Sequence, residues 1–291
     1  MGADISKMRL DNVLVTRGFF SSRARARDAV LRGTVRLAGE IVHRPGLLVA
    51  AAAALEVADP ARPYVSRAAL KLLAALESFG LSPRGARAAD IGASIGGFSQ
   101  VLLEREASHV TAIDVGHGQM AASLRANKRL TIYEGLNARA VTAAHFTDKD
   151  GLHRPDFIVS DVSFISLKLA LPPVLQLAAA GAKAVLLVKP QFEAGRGFIG
   201  KNGQLLDKTQ AEVIAQELYH WLDTLPQWRA CGLCESPISG GEGAQEFLLY
   251  GEKQSLAEPE PRLAESGPYL IESEPGPAGR RRTNNKDADN D

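Results

Sequence analysis

The sequence predicts an α/β protein, with a mostly parallel sheet covered by helices on both faces and a small α+β module in front of it. The sheet is predicted by alternation. From about residue 86, short apolar runs (ARAADIGAS, HVTAIDV, LTIYEG, DFIVSDV, KAVLLVKP) are separated by helical stretches of ordinary length, and strands that alternate with helices pair in parallel. The module is predicted by charge. Residues 1–63 hold ten Lys/Arg against six Asp/Glu, a local +4 in a chain whose formal net charge is only +1. At 291 residues, 45% hydrophobic and 23% charged, the chain has room for one large and one small core without disulfides or structural metal.

In chain order, residues 6–60 read as helix, helix and hairpin. Leu10, Val13 and Leu14 recur at helical spacing. Ser21 and Ser22 supply capping chemistry for a second helix, SRARARDAVLRG, which ends at Gly33. TVRLAGEIVHRPG reads as two strands around a tight turn at Ala38 and Gly39. Residues 61–65 form a linker in which Pro63 biases Arg62 away from helix. The large domain spans 66–253. Its first helix runs from Ser66 to Gly80, with later helices from Gly97, near Gln119, from Ser166 and over 207–223, and closing strands near 228–235 and 245–251. The tail, 254–291, is rich in Pro, Glu and Asn and is expected to be disordered.

Several classes are disfavoured. The longest apolar stretch, 47–55, is far short of the ~20 residues a membrane span needs, and no signal peptide is recognisable. Cys231 and Cys234 form a lone CxxC without the further ligands of a zinc site, so no metal is expected. A reducing, cytoplasmic setting fits such low cysteine content. The basic front end instead points to a polyanionic partner. Arg23 and Arg27, four apart, share one face of the second helix, where like charges repel unless an anion lies opposite.

The chemistry gathers at strand ends. Asp90, Gly92, Ala93, Ser94, Gly96, Gly97 and Phe98 form a glycine-rich loop after the first strand of the sheet, where open α/β sheets bind ligands. Asp114 ends the next strand, placed to accept the ribose hydroxyls of an adenosine-containing cofactor. The spacing suits NAD and S-adenosylmethionine equally. Asp161 and Lys189 end two further strands on the same edge. Lys71 has small residues (Ala74, Ala75, Ser78) along its side of the first helix, and Glu246, read as part of the last strand in phase with Leu248 and Tyr250, needs a cationic partner.

YVSRAALKL, DIGASIGGFS, DVSFISLKL, VKPQFEAGR and AQEFLL, in that order, resemble the motifs of the TlyA (hemolysin A-like) family of 2′-O-ribose rRNA methyltransferases, and LDNVLVTRGFFSSRARARDAVLRGTVRLAGEIV is similar to an S4-type RNA-binding domain. The resemblance covers about 9–250 and implies a Rossmann-like, FtsJ-like methyltransferase sheet, S-adenosylmethionine as cofactor, and ribosomal RNA or ribosomal subunits as partner, with no membrane and no protein partner evident. It implies a catalytic tetrad on Lys71, Asp161, Lys189 and Glu246, with Lys189 beside the 2′-oxygen of a cytidine. Asp90 to Phe98 and Asp114 would hold the cofactor, and Arg9, Arg23, Arg25, Arg27, Arg32 and Arg67 would face RNA. The chain departs from the family pattern at Ala68 and Ala69, at Ile95, and at Ala244 and Gln245. A non-catalytic RNA-binding protein on a decayed methyltransferase fold, and a hemolysin, are the rival readings.

Overall fold

A computed structural model of the chain describes residues 7–200 and 203–255. The tail expected to be disordered lies outside the described residues from 256 onward.

The basic module begins with β1 (Lys7–Arg9), α1 (Leu10–Thr16) and α2 (Arg23–Leu31). Leu10, Val13 and Leu14 are buried with Ala26, Ala29, Val30 and Val35 in one small core. The Ser22 hydroxyl caps α2 by accepting from the Arg25 N–H at 3.4 Å. β2 (Val35–Leu37) and β3 (Glu40–Ile41) are joined through Ala38 and Gly39, both at positive φ (51° and 86°), the two-residue turn whose twist matches a hairpin. The sequence reading missed three pairing segments. β1 pairs with β4 (Leu48–Ala50), and β2 with β5 (Leu55–Val57). Each has three residues, too few to display an alternation.

The linker is clasped from both sides. The Arg25 guanidinium donates to the carbonyls of Ala61, Arg62 and Tyr64, at 3.1, 3.2 and 2.6 Å. Arg32 grips Asp59 with both terminal nitrogens (2.9 and 3.0 Å) and Asp28 with Nε (2.9 Å), and Arg67 reaches Asp28 at 2.6 Å. Arg25, Arg32 and Arg67, expected to face RNA, are therefore engaged inside the protein. From the other side, the Gln100 amide accepts from the Val65 N–H (2.7 Å) and donates to the Pro63 carbonyl (3.1 Å).

The large domain is a seven-stranded sheet. Its strands are β6 (Arg87–Ile91), β7 (His109–Asp114), β8 (Leu130–Glu134), β11 (Phe157–Ser160), β12 (Lys183–Val188), β13 (Trp228–Glu235) and β14 (Phe247–Lys253), in the order β13-β14-β12-β11-β6-β7-β8. β12 to β8 run parallel, and β14 is antiparallel to both its neighbours. A small hairpin, β9 (Thr147–Asp148) and β10 (Gly151–Leu152), lies outside this sheet. One face carries α3 (Ala69–Ser78) and α4 (Gly97–Glu104), whose Leu72, Val101 and Leu102 pack with Val110, Ala112, Phe157 and Val185 of the sheet. The other carries α9 (Gln210–Thr224) on Ile158, Leu186 and Leu249. The helix expected from Ser66 starts at Ala69, after turn hydrogen bonds at Ser66 and Arg67. That expected near Gln119 is one turn, α5 (Ala122–Arg125). That expected from Ser166 divides into α6 (Leu167–Ala170) and α7 (Pro172–Leu177), because Pro172 and Pro173 lack the N–H groups that would continue it. A single turn, α8 (Pro190–Glu193), follows β12. Glu246 precedes the last strand rather than lying in it.

Candidate active site

The glycine loop is shaped by close backbone approach. Gly92 has φ of +83°, and a β-carbon there would lie 2.9 Å from the Asp161 carbonyl group and the Val162 nitrogen. A hydrogen bond from the Asp161 N–H to the Ile91 carbonyl, at 3.0 Å, holds the two strand ends together. Gly96, at φ of +100°, precedes α4 and leaves room for Leu124 and Met120. Ser94 takes φ of +47° without being glycine, and its N–H donates to one Asp114 oxygen at 2.8 Å. The Gly116 N–H donates to the other at 2.7 Å. Each carboxylate oxygen keeps a lone pair, so Asp114 can still accept from a ligand's hydroxyls. Ala93, Gly97 and Phe98 complete a cavity of about 140 Å³ that also reaches Ser66, Asp161, Ser163 and Lys189. Ile95 lines its rim and is 44% exposed, so the apolar side chain there faces outward.

Beneath the loop lies Asp90, fully buried. One of its oxygens accepts from the Ser99 hydroxyl at 2.7 Å and the other has no partner among the described residues. Burial pushes this carboxyl up to about 7, and the nearby Asp161 and Asp114 charges add to the effect while Ser99 opposes it.

The four residues of the expected tetrad form two ion pairs, one buried and one partly open. Lys189, the last residue before α8, holds Nζ 2.6 Å from an Asp161 oxygen and donates to the Ser163 hydroxyl at 2.7 Å. Lys71 is paired with Glu246, and both are at most 5% exposed. Register brings the backbones of Lys189 and Glu246 side by side. The β12–β14 ladder ends with Val188 opposite Phe247, so Lys189 and Glu246 are the next residues off its end. Gly240 makes room for Glu246, because a β-carbon at Gly240 would collide with its carboxylate.

Residues that sequence reasoning gave no role surround this edge. Phe164 is 90% exposed, sits at φ of +65°, and has its ring 5.0 Å from that of Phe192, which itself lies 5.9 Å from the Lys189 ammonium. A bulky side chain in a left-handed conformation is strained, and such strain collects at ligand sites. Glu193 accepts from the Ser166 hydroxyl (2.5 Å) and the Leu167 N–H (2.8 Å), tying the end of α8, after β12, to the start of α6, after β11. Isolated loop residues have no periodic neighbours to mark them.

The sequence profile of the FtsJ-like methyltransferase family matches residues 64–253, and that of the S4 domain matches 8–52. A 16S/23S rRNA (cytidine-2′-O)-methyltransferase, TlyA of Mycobacterium tuberculosis, is 40% identical over 257 residues, covering 86% of this chain and 91% of its own. The chain belongs to the TlyA family of FtsJ-like methyltransferases. A solved structure from Streptococcus thermophilus, named as a hemolysin candidate, aligns to this TlyA-family chain with a TM-score of 0.65 at 37% identity, covering 86% of this chain and 90% of that one. No helix among the described residues is long and apolar enough to cross a membrane, and those residues hold no cluster of His, Cys, Asp or Glu suited to a metal ion.

Proposed function

We propose that this protein transfers the methyl group of S-adenosylmethionine to the ribose 2′-hydroxyl of a cytidine in ribosomal RNA, working in the cytoplasm on ribosomal subunits. The observation that carries the proposal is the Lys189 ammonium, aimed by Asp161 and Ser163 into the cavity that Gly92, Ser94 and Gly97 open.

The cavity fits the cofactor's chemistry. Gly92 and Gly97 line it with bare backbone that a ligand can approach closely, and Asp114, which anchors the Ser94 N–H of the loop, offers its remaining lone pairs to ribose hydroxyls. When bound, S-adenosylmethionine supplies a methyl sulfonium, an electrophile that needs little further activation. The protein therefore has to place the 2′-oxygen in line and receive its proton. The Lys189 ammonium donates to the 2′-oxygen and holds it in place, and the Asp161 carboxylate, the acceptor of the pair, takes the hydroxyl proton. Lys71 and Glu246 stand beside that pair as a second, internally neutral one, so the site stays close to electroneutral. Phe164 offers an exposed ring at the mouth for the base of the target nucleotide to stack on.

RNA affinity comes from the basic module. Arg23 and Arg27 face outward from α2, and Arg9 lies beside them. The complete glycine cradle and both ion pairs do not favour a decayed enzyme. The test is methyl transfer to purified ribosomal subunits, read by nucleoside mass spectrometry. 2′-O-methylcytidine is expected with the wild type and none with Lys189→Ala, while calorimetric S-adenosylmethionine binding persists in the variant. Cofactor binding by NADH in place of S-adenosylmethionine would contradict the proposal.

A further inference from the structure

On the basic face, one carboxylate is out of keeping with a surface meant for RNA. Asp11, the second residue of α1, is only 2% exposed. It accepts from Arg9 twice, Nε to one oxygen at 3.1 Å and Nη2 to the other at 2.9 Å, and from Arg23 Nη2 at 3.3 Å. The two arginines remain half open to solvent, at 48% and 59%. Arg27 lies one turn beyond Arg23, exposed and without a partner among the described residues. All four residues line one open concavity of about 470 Å³, together with Ala24, Pro45 and Gly46.

Three guanidiniums around a single carboxylate leave two positive charges uncompensated in this basin. The geometry leaves their remaining donors free. Arg9 uses Nε and Nη2 on Asp11, so its Nη1 stays available beside Gly46, where a β-carbon would come within 3.0 Å of it. Arg23 uses one nitrogen of three. The carboxylate is itself fixed, because the Asp11 N–H donates to the Pro45 carbonyl at 3.0 Å and Leu10 beside it is fully buried. An arginine side chain loses rotamer entropy when it binds a phosphate, and holding the planar fork beforehand removes that loss. Phosphate is the anion that such forks match.

We propose that Asp11 is a positioning residue, which pre-arranges Arg9 and Arg23 with Arg27 as the seat of one RNA backbone phosphate. It rests on the reading that the basic module binds ribosomal RNA, and it carries a counter-intuitive consequence. Removing a negative charge from an RNA-binding face should tighten binding by simple electrostatics. Here it should weaken it.

The test is binding of the full-length protein to purified ribosomal RNA across a salt series. Asp11→Asn is expected to lower affinity about tenfold and to flatten the salt dependence by about one counterion, although the variant is more positive. Arg9→Lys, at a half-exposed position, supplies a second measurement if Asp11→Asn fails to fold. It keeps the charge and loses the fork, so its loss should exceed that of Arg27→Lys, where no fork is engaged. Equal or tighter binding by Asp11→Asn, or equal losses in the two lysine variants, would overturn the proposal while leaving RNA binding intact. Salt-independent binding by the wild type would instead remove the RNA-binding reading on which it rests.

Discussion

At the scale of single residues, charge burial decides what each side chain can do. Lys71 and Glu246 are so deeply enclosed that removing one leaves the other charged and unsolvated, a change that costs about 3–5 kcal/mol. Lys71→Ala should therefore lower the denaturant midpoint markedly, whereas Lys189→Ala, whose partner Asp161 is partly open to the cavity, should cost much less. Chemical denaturation of both variants checks the order. Asp90 sets a pH dependence. Its carboxyl rests near 7 in the folded protein against an ordinary 3.8, so between those values the native state holds a proton that the unfolded chain releases. The contribution of this group to stability thus falls as pH rises through about 4 to 7, at up to about 1.4 kcal/mol per pH unit, and levels off above. Asp90→Asn should flatten that part of the stability profile. Parallel profiles for variant and wild type would show that Asp90 is not protonated there. Phe164 belongs to the same scale, because base–aromatic stacking is worth about 1–3 kcal/mol. Phe164→Ala should reduce kcat/KM for RNA by roughly 5- to 150-fold and leave the dissociation constant for S-adenosylmethionine unchanged. A change confined to cofactor binding would place the ring elsewhere in the mechanism.

At the scale of elements, geometry at strand ends does the assembling. Gly92 is where β6 passes the backbone of the loop after β11, and Gly92→Ala both strains φ and drives a methyl into that backbone. It should abolish cofactor binding in calorimetry with the sheet's circular dichroism retained. The elements that could be read from sequence were those with a chemical marker at each end: the Ser22 cap and Gly33 around α2, Ala38 and Gly39 between β2 and β3, and glycines beside β6 and α4. Asp114, Asp161 and Lys189 could be placed on one edge from the sequence because each ends or directly follows a strand of one parallel sheet, and such ends share an edge. The expectation that Glu246 needs a cationic partner came from its apolar neighbours, and the structure pairs it with Lys71. What could not be read was non-periodic. The three-residue strands β1, β4 and β5 pair through long-range hydrogen bonds that no local pattern announces. The roles of Arg25, Arg32 and Arg67 depended on where Asp28, Asp59 and the linker carbonyls fell in space, which spacing along a helix does not disclose.

For the whole molecule, the fold places an arginine-lined basin on the small module and a glycine-cradled lysine on the edge of the large sheet, with the Arg25 and Arg32 clasp fixing the linker between them. RNA held by the first would be offered to the second. The most direct test combines both in one assay: wild type and Lys189→Ala are incubated with purified ribosomal subunits and isotope-labelled S-adenosylmethionine, and the digested rRNA is analysed by mass spectrometry. The account predicts label in 2′-O-methylcytidine for the wild type, none for the variant, and equal cofactor binding by the two. Label on a base in place of a ribose, or undiminished ribose methylation by Lys189→Ala, would contradict it.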